Sequence, residues 1–100
     1  MRDYELYLVI DGDTEEEQVS AIVEKATQLI SAGYGDVNGE VIKVDARGKR
    51  RLTYPIRKKV DGLDVVLSFR APPQVLHEIE RVLKLEEPVL RYLVIRMGDD

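Results

Sequence analysis

One hundred residues suffice for one small hydrophobic core but not two, and 44% apolar with 34% charged residues fit an ordered, soluble domain. The longest uninterrupted apolar run, Leu6 to Ile10, is far too short to cross a bilayer, and the absence of cysteine excludes thiol chemistry and Cys-based zinc sites. No apolar signal core opens the chain and a cysteine-free sequence suits a reducing compartment, so the cytoplasm is the expected location.

Tyr4, Leu6, Leu8 and Ile10 alternate with Glu5, Tyr7 and Val9, which predicts a central first strand with one fully apolar face. Asp11-Gly12-Asp13 turns the chain, and Thr14 with Glu17 predicts a capping box at the start of a helix. Glu15, Glu16 and Glu17 then suit the positive end of that helix without any metal. Val19, Ile22, Val23, Ala26, Leu29 and Ile30 share its buried face, and Gly33 is placed to end it in the left-handed conformation.

After a turn-rich link over 34–39, a second strand begins at Glu40, is interrupted near Arg47-Gly48 and resumes from Leu52 to Ile56. Asp61-Gly62 is the turn signal before a third strand in which Leu63, Val65, Leu67 and Phe69 face the core. Pro72-Pro73 marks a second helix with an apolar stripe of Leu76, Ile79, Val82 and Leu83. Glu87-Pro88 breaks it, and Val89 to Met97 forms the last strand with Tyr92 and Val94 inward. The order βαββαβ is the ferredoxin-like split βαβ sandwich of the α+β class. It implies a four-stranded antiparallel sheet in order 4-1-3-2 with two helices on one face. A single domain over 1–97 with a short polar end at 98–100 follows.

The net charge of −4 hides an asymmetry. Residues 1–42 carry ten acidic and two basic side chains, whereas residues 43–59 carry eight basic and one acidic. Seven of the fifteen basic residues fall within Arg47 to Lys59, on a hairpin arm that contains no acidic residue. Such crowding is unfavourable unless a polyanion neutralises it, although Lys and Pro also protect sheet edges from unwanted pairing. Tyr54, between the two basic clusters, either stacks on a base or, the better reading, anchors the arm to the sheet. Catalytic chemistry has no candidates: His77 is the sole histidine, and the glycines follow no phosphate-loop spacing. Glu86-Glu87 and Asp99-Asp100 are expected in a turn and at the terminus, fully solvated. No enzyme, cofactor, metal or small-molecule substrate is expected.

The sheet face away from the helices is expected to carry Glu5, Tyr7, Val9, Val66, Ser68, Arg91, Leu93 and Ile95, too apolar a set for plain solvated surface. A protein partner or a dimeric regulatory module of the same fold would each account for it. The single aromatic there, Tyr7, argues against base reading across the sheet and favours recognition of a folded RNA by its phosphates.

Three stretches carry a family resemblance. Arg2-Asp3-Tyr4-Glu5 looks like an opening Arg-x-Tyr-Glu. Gly48-Lys49-Arg50-Arg51-Leu52-Thr53-Tyr54-Pro55-Ile56-Arg57-Lys58 resembles a Gly-Lys-Arg-Arg-Leu-Ala-Tyr-Pro-Ile-x-Lys signature, and 90–96 resembles a last strand. Together they are similar to the family of the sixth protein of the bacterial small ribosomal subunit. Departures are Arg47 and Leu63 where aromatics are common, and Thr53 for the usual Ala. The resemblance implies the same fold and a non-catalytic role in binding small-subunit ribosomal RNA with the eighteenth small-subunit protein. On this reading Arg2, Lys49, Arg50, Arg51, Arg91 and Arg96, followed by Tyr54 and Lys58, contact RNA. Tyr7, Val9, Val66 and Leu93, with the edge of the second strand, meet the partner protein.

Overall fold

The structure is a computed structural model that describes residues 1–98, so the polar end expected over 98–100 lies beyond Gly98 outside the described residues. Its elements are β1 (Arg2–Asp11), α1 (Glu16–Ala32), β2 (Glu40–Ile56), β3 (Lys59–Ala71), α2 (Val75–Leu85) and β4 (Val89–Met97). The antiparallel sheet runs β2-β3-β1-β4, the expected order, with β1 in an interior position. Strict period-two patterning decides this arrangement: Tyr4, Leu6, Leu8 and Ile10 are all buried against the helices. Their register partners Phe69, Leu67, Val65 and Leu63 continue the same apolar face. Ile22, Ala26 and Ile30 of α1 and Val75, Ile79 and Leu83 of α2 close the core from above. Tyr4 and Phe69 pack with ring centroids 5.4 Å apart, and each buried large side chain contributes about 1.5–3 kcal/mol.

Element ends differ from the sequence reading in physically instructive ways. No Thr14–Glu17 capping box forms. Glu15 occupies the N-cap without a side-chain bond, while the Asp11 carboxylate accepts from the Asp13 N–H at 3.0 Å and organises the turn instead. Gly33 does have φ +69, but its ψ of −145 lies outside the left-handed helical well, in a region open essentially to glycine. α2 begins two residues after the prolines, whose carbonyls accept from Val75 and Leu76 in a preceding turn.

The largest correction concerns the hairpin. β2 is one strand from Glu40 to Ile56, and the expected interruption at Arg47-Gly48 is a shift of register around Gly48, which has φ +87. The turn is not at Asp61-Gly62 but at Arg57-Lys58, both with positive φ, +48 and +67, between the paired residues Ile56 and Lys59. Two successive positive φ values match the twist of a two-residue hairpin. They are usually supplied by Asn or Gly, so Arg-Lys gives no sequence signal. Gly62 lies inside β3 for a different reason. A Cβ there would sit 2.9 Å from Val9 Cγ1 and 3.0 Å from Leu52 Cδ2, so the glycine leaves space for two side chains to meet over the backbone.

Gly62→Ala is therefore expected to destabilise by overpacking, by about 1–3 kcal/mol. This would register as a lower urea midpoint at unchanged m-value, and an unchanged midpoint would show that the space is not needed.

Candidate nucleic-acid interface

β2 and β3 continue past the end of β1, and this projecting arm bends across the sheet end toward β4. The Gly12 N–H donates to the Asp61 carbonyl where β1 stops. Lys59 Nζ then lies 3.1 Å from Asp11 Oδ2. At the tip, the Arg57 guanidinium donates to the carbonyls of Val89 at 2.5 Å and Glu87 at 3.3 Å, tying the turn to the start of β4. Arg91 on β4 donates to the Tyr54 hydroxyl at 3.2 Å, with its guanidinium carbon 5.7 Å from the ring centroid. Tyr54 thus anchors the arm, in keeping with the better of its two sequence readings. It does so by a polar and cation–π clasp rather than by burial, for it remains 54% exposed. Its phenol is held below the ordinary tyrosine range by the bond from Arg91 and by that residue's charge.

The arm's cations are half neutralised from within. Arg50 Nε lies 2.5 Å from Asp64 Oδ2, Arg47 Nε 3.0 Å from Asp45 Oδ2 and Lys49 Nζ 3.7 Å from Asp13 Oδ1. With Lys59 on Asp11, four of the seven basic residues between 47 and 59 face an aspartate, and Arg57 is spent on carbonyls. Among the described residues, Arg51 and Lys58 are exposed and have no carboxylate within ion-pair distance. The aspartates come from β1, the following turn, β2 and β3. Asp45 is two residues from Arg47 in β2, but the other three are remote in sequence, and a stretch free of acidic residues says nothing about what its neighbours in space supply. Asp64 lies diagonally from Arg50, which is paired with Gly62, a proximity that only the strand register reveals.

The face away from the helices is also less open than its alternation implied. Val66, expected as an exposed partner contact, is only 5% exposed. Leu52 is buried as well, and it converges with Val9 over Gly62, so Val9 is half-buried. Glu5 accepts hydrogen bonds from Tyr7 at 2.9 Å and Ser68 at 3.4 Å. The first of these holds the Tyr7 phenol above its ordinary range. The apolar surface that remains on this face runs along β4, with Leu93 56% and Ile95 39% exposed, whereas the exposed Val44 at the β2 edge pairs with Leu67 and so stands on the helix side.

The predicted RNA-contact residues divide into two groups. Lys49, Arg50, Arg51, Tyr54, Lys58 and Arg91 gather on or beside the arm. Arg2 and Arg96 lie at the other end of β1 and β4, where Arg2 pairs with Ala71 and Arg96 with Tyr4. That register turns both toward the helix side, whereas Arg91 pairs with Val9 on the other face. The five residue steps from Arg91 to Arg96 span about 17 Å of strand. His77 is exposed on α2, and no group of three or more His, Cys, Asp or Glu suited to a metal occurs among the described residues. No described helix is long and apolar enough to cross a membrane.

A family model described as Ribosomal protein S6 matches residues 3–96. The chain belongs to the ribosomal protein S6 family. Membership places it among structural ribosomal proteins rather than enzymes. It is 44% identical over 100 residues to small ribosomal subunit protein bS6 of Moorella thermoacetica, covering 100% of this chain and 98% of that one. It is also 41% identical over 96 residues to the protein of the same name from Streptomyces coelicolor, covering 96% of each. The crystal structure of 30S ribosomal protein S6 from Thermotoga maritima superposes with a TM-score of 0.85 at 28% identity, over 96% of this chain and 87% of that one. The split βαβ sandwich expected from the sequence is therefore the fold of the family.

Asp11 links the arm's seat to pH. The Asp13 N–H, chiefly, holds its carboxyl below the ordinary carboxylate value; burial opposes this and Lys59 adds to it. A lowered folded-state pKa gives stability that is present above the unfolded value of about 3.9 and lost as pH falls through the folded value. Asp11→Asn is accordingly expected to lower the urea midpoint near pH ~7 and to lose most of that difference near pH ~2.5. A difference equal at both pH values would show that the charge of Asp11 does not matter.

Proposed function

We propose that the chain is a structural component of the small ribosomal subunit, working in the cytoplasm with residues 1–97 as one domain. It binds small-subunit ribosomal RNA through the β2–β3 arm and assembles beside the eighteenth small-subunit protein. The observation that carries the RNA reading is Arg51 and Lys58. They are exposed, without a carboxylate within ion-pair distance, and stand on an arm tied at its tip by Arg57 and at its flank by the Tyr54–Arg91 clasp. A tethered arm presents its cations at fixed points, which suits the positioning of phosphates on a folded RNA rather than the reading of base edges.

Lys49 and Arg50, on opposite faces of β2 and each facing an aspartate, are secondary contacts, engaged only where a phosphate displaces that aspartate. Exposed ion pairs contribute only about 0–1 kcal/mol, so the exchange is thermally accessible. Arg91 and Tyr54 flank the same surface. Arg2 and Arg96, at the other end of the sheet, form a second, separate contact on the same RNA. For the partner protein, Leu93 is the exposed apolar anchor, with Tyr7 and Val9 half-buried on the neighbouring strand and the buried Val66 on the far side of Tyr7.

Replacing Arg51 and Lys58 together by Ala should weaken binding to small-subunit ribosomal RNA. It should also reduce the slope of log affinity against log salt by about 1.4–1.8, since each phosphate that a cation ceases to neutralise accounts for about 0.7–0.9. Filter binding at several salt concentrations measures this, and an unchanged slope rejects the arm as the RNA-binding surface. For the partner, Leu93→Asp should abolish co-elution with the purified eighteenth small-subunit protein; retained co-elution moves that surface elsewhere.

A further inference from the structure

We infer that Asp64 is an internal competitor for Arg50, a stand-in phosphate that lowers the arm's affinity for flexible polyanions more than for a folded one. The inference rests on the arm being a polyanion-binding surface. Arg50 Nε and Asp64 Oδ2 are 2.5 Å apart, with the two side chains 47% and 24% exposed. The pair is close enough for a charge-assisted hydrogen bond and wet enough to exchange. It does not stand alone. Asp45 holds Arg47, Asp13 faces Lys49 and Asp11 holds Lys59, so carboxylates accompany the basic run along its length. Arg51 and Lys58 lack such a partner among the described residues, so the arm divides into held cations and available ones.

The division has a consequence for selectivity. A flexible strand gains affinity by adapting to every cation within reach, and its binding is almost wholly electrostatic. Each held cation costs it the exchange of an existing ion pair. A folded RNA has its phosphates in fixed places and engages the available cations without first opening every pair. Internal carboxylates therefore reduce indiscriminate binding more than specific binding.

The test is a double-mutant cycle on the full chain, titrated with fluorescently labelled poly(U) at low salt. Asp64→Asn keeps the side chain's shape and removes its charge. It is expected to tighten poly(U) binding about two- to fivefold, the fold-change equivalent of one exposed ion pair. In an Arg50→Ala background the same substitution should have little effect, because no cation remains to be released. Equal tightening in both backgrounds would mean that Asp64 acts only through overall charge, and no tightening would mean that it does not compete; either overturns the inference. Small-subunit ribosomal RNA titrated alongside should gain less than poly(U) from Asp64→Asn, and equal gains would overturn the selectivity role. Because poly(U) has no ribosomal fold, the cycle reports on Asp64 even if the ribosomal RNA reading fails.

Discussion

The seating of the β2–β3 arm on the sheet depends on Leu52 and Val9 meeting above the bare backbone of Gly62. A hairpin extending beyond its sheet has no core of its own, and an isolated two-stranded ribbon is at best marginally stable in water. Here the far half of β2 buries Leu52 on the face opposite the helices, so the arm has one apolar foothold on the sheet. The other attachments are polar and follow from the bend that this foothold permits. They are Arg57 on the first carbonyls of β4, Lys59 on Asp11 and Arg91 on Tyr54. Without the glycine the two apolar side chains could not approach, and these attachments would lose their alignment.

Tethering explains why the arm can carry two non-glycine residues at positive φ in its turn. Such conformations cost roughly 1–2 kcal/mol each for residues with a side chain. Arg57 offsets part of this by donating to two carbonyls at the edge of β4. The same residue that strains the turn also fastens it. Lys58 is then left at the apex, exposed to solvent. A turn built from Asn-Gly would be locally easier and would forfeit both the clamp and the apical cation.

The electrostatics of the surface combine attraction with internal neutralisation. The acidic first half of the chain is not merely a remote counterweight. Asp11 and Asp13 reach the arm directly, and Asp45 and Asp64 do so from within the hairpin. All four pairs are at least partly solvated, where screening over about 8–10 Å limits their mutual influence. They organise the side chains without locking them.

Periodicity alone determined the elements, their order and the split βαβ topology. Burial on a two-residue or 3.6-residue repeat is a local property, and the crossover rule leaves few ways to connect the strands. The face of α1, the inward placement of Phe69 and Tyr92, and the basic character of the 47–59 stretch were legible for that reason, whereas α2 buries Val75, Ile79 and Leu83 and leaves the expected Val82 outside the core. Tertiary structure decided where the hairpin turns, since the Arg57-Lys58 turn at positive φ is fastened by carbonyls that Val89 of β4 and Glu87 ahead of it supply to Arg57. It also decided that Val66 and Leu52 are covered, that Arg2 and Arg96 lie apart from the arm, and which cations already hold a carboxylate. Each of these depends on strand register and on residues distant in the chain, and ion pairing across strands leaves no periodic trace in the sequence.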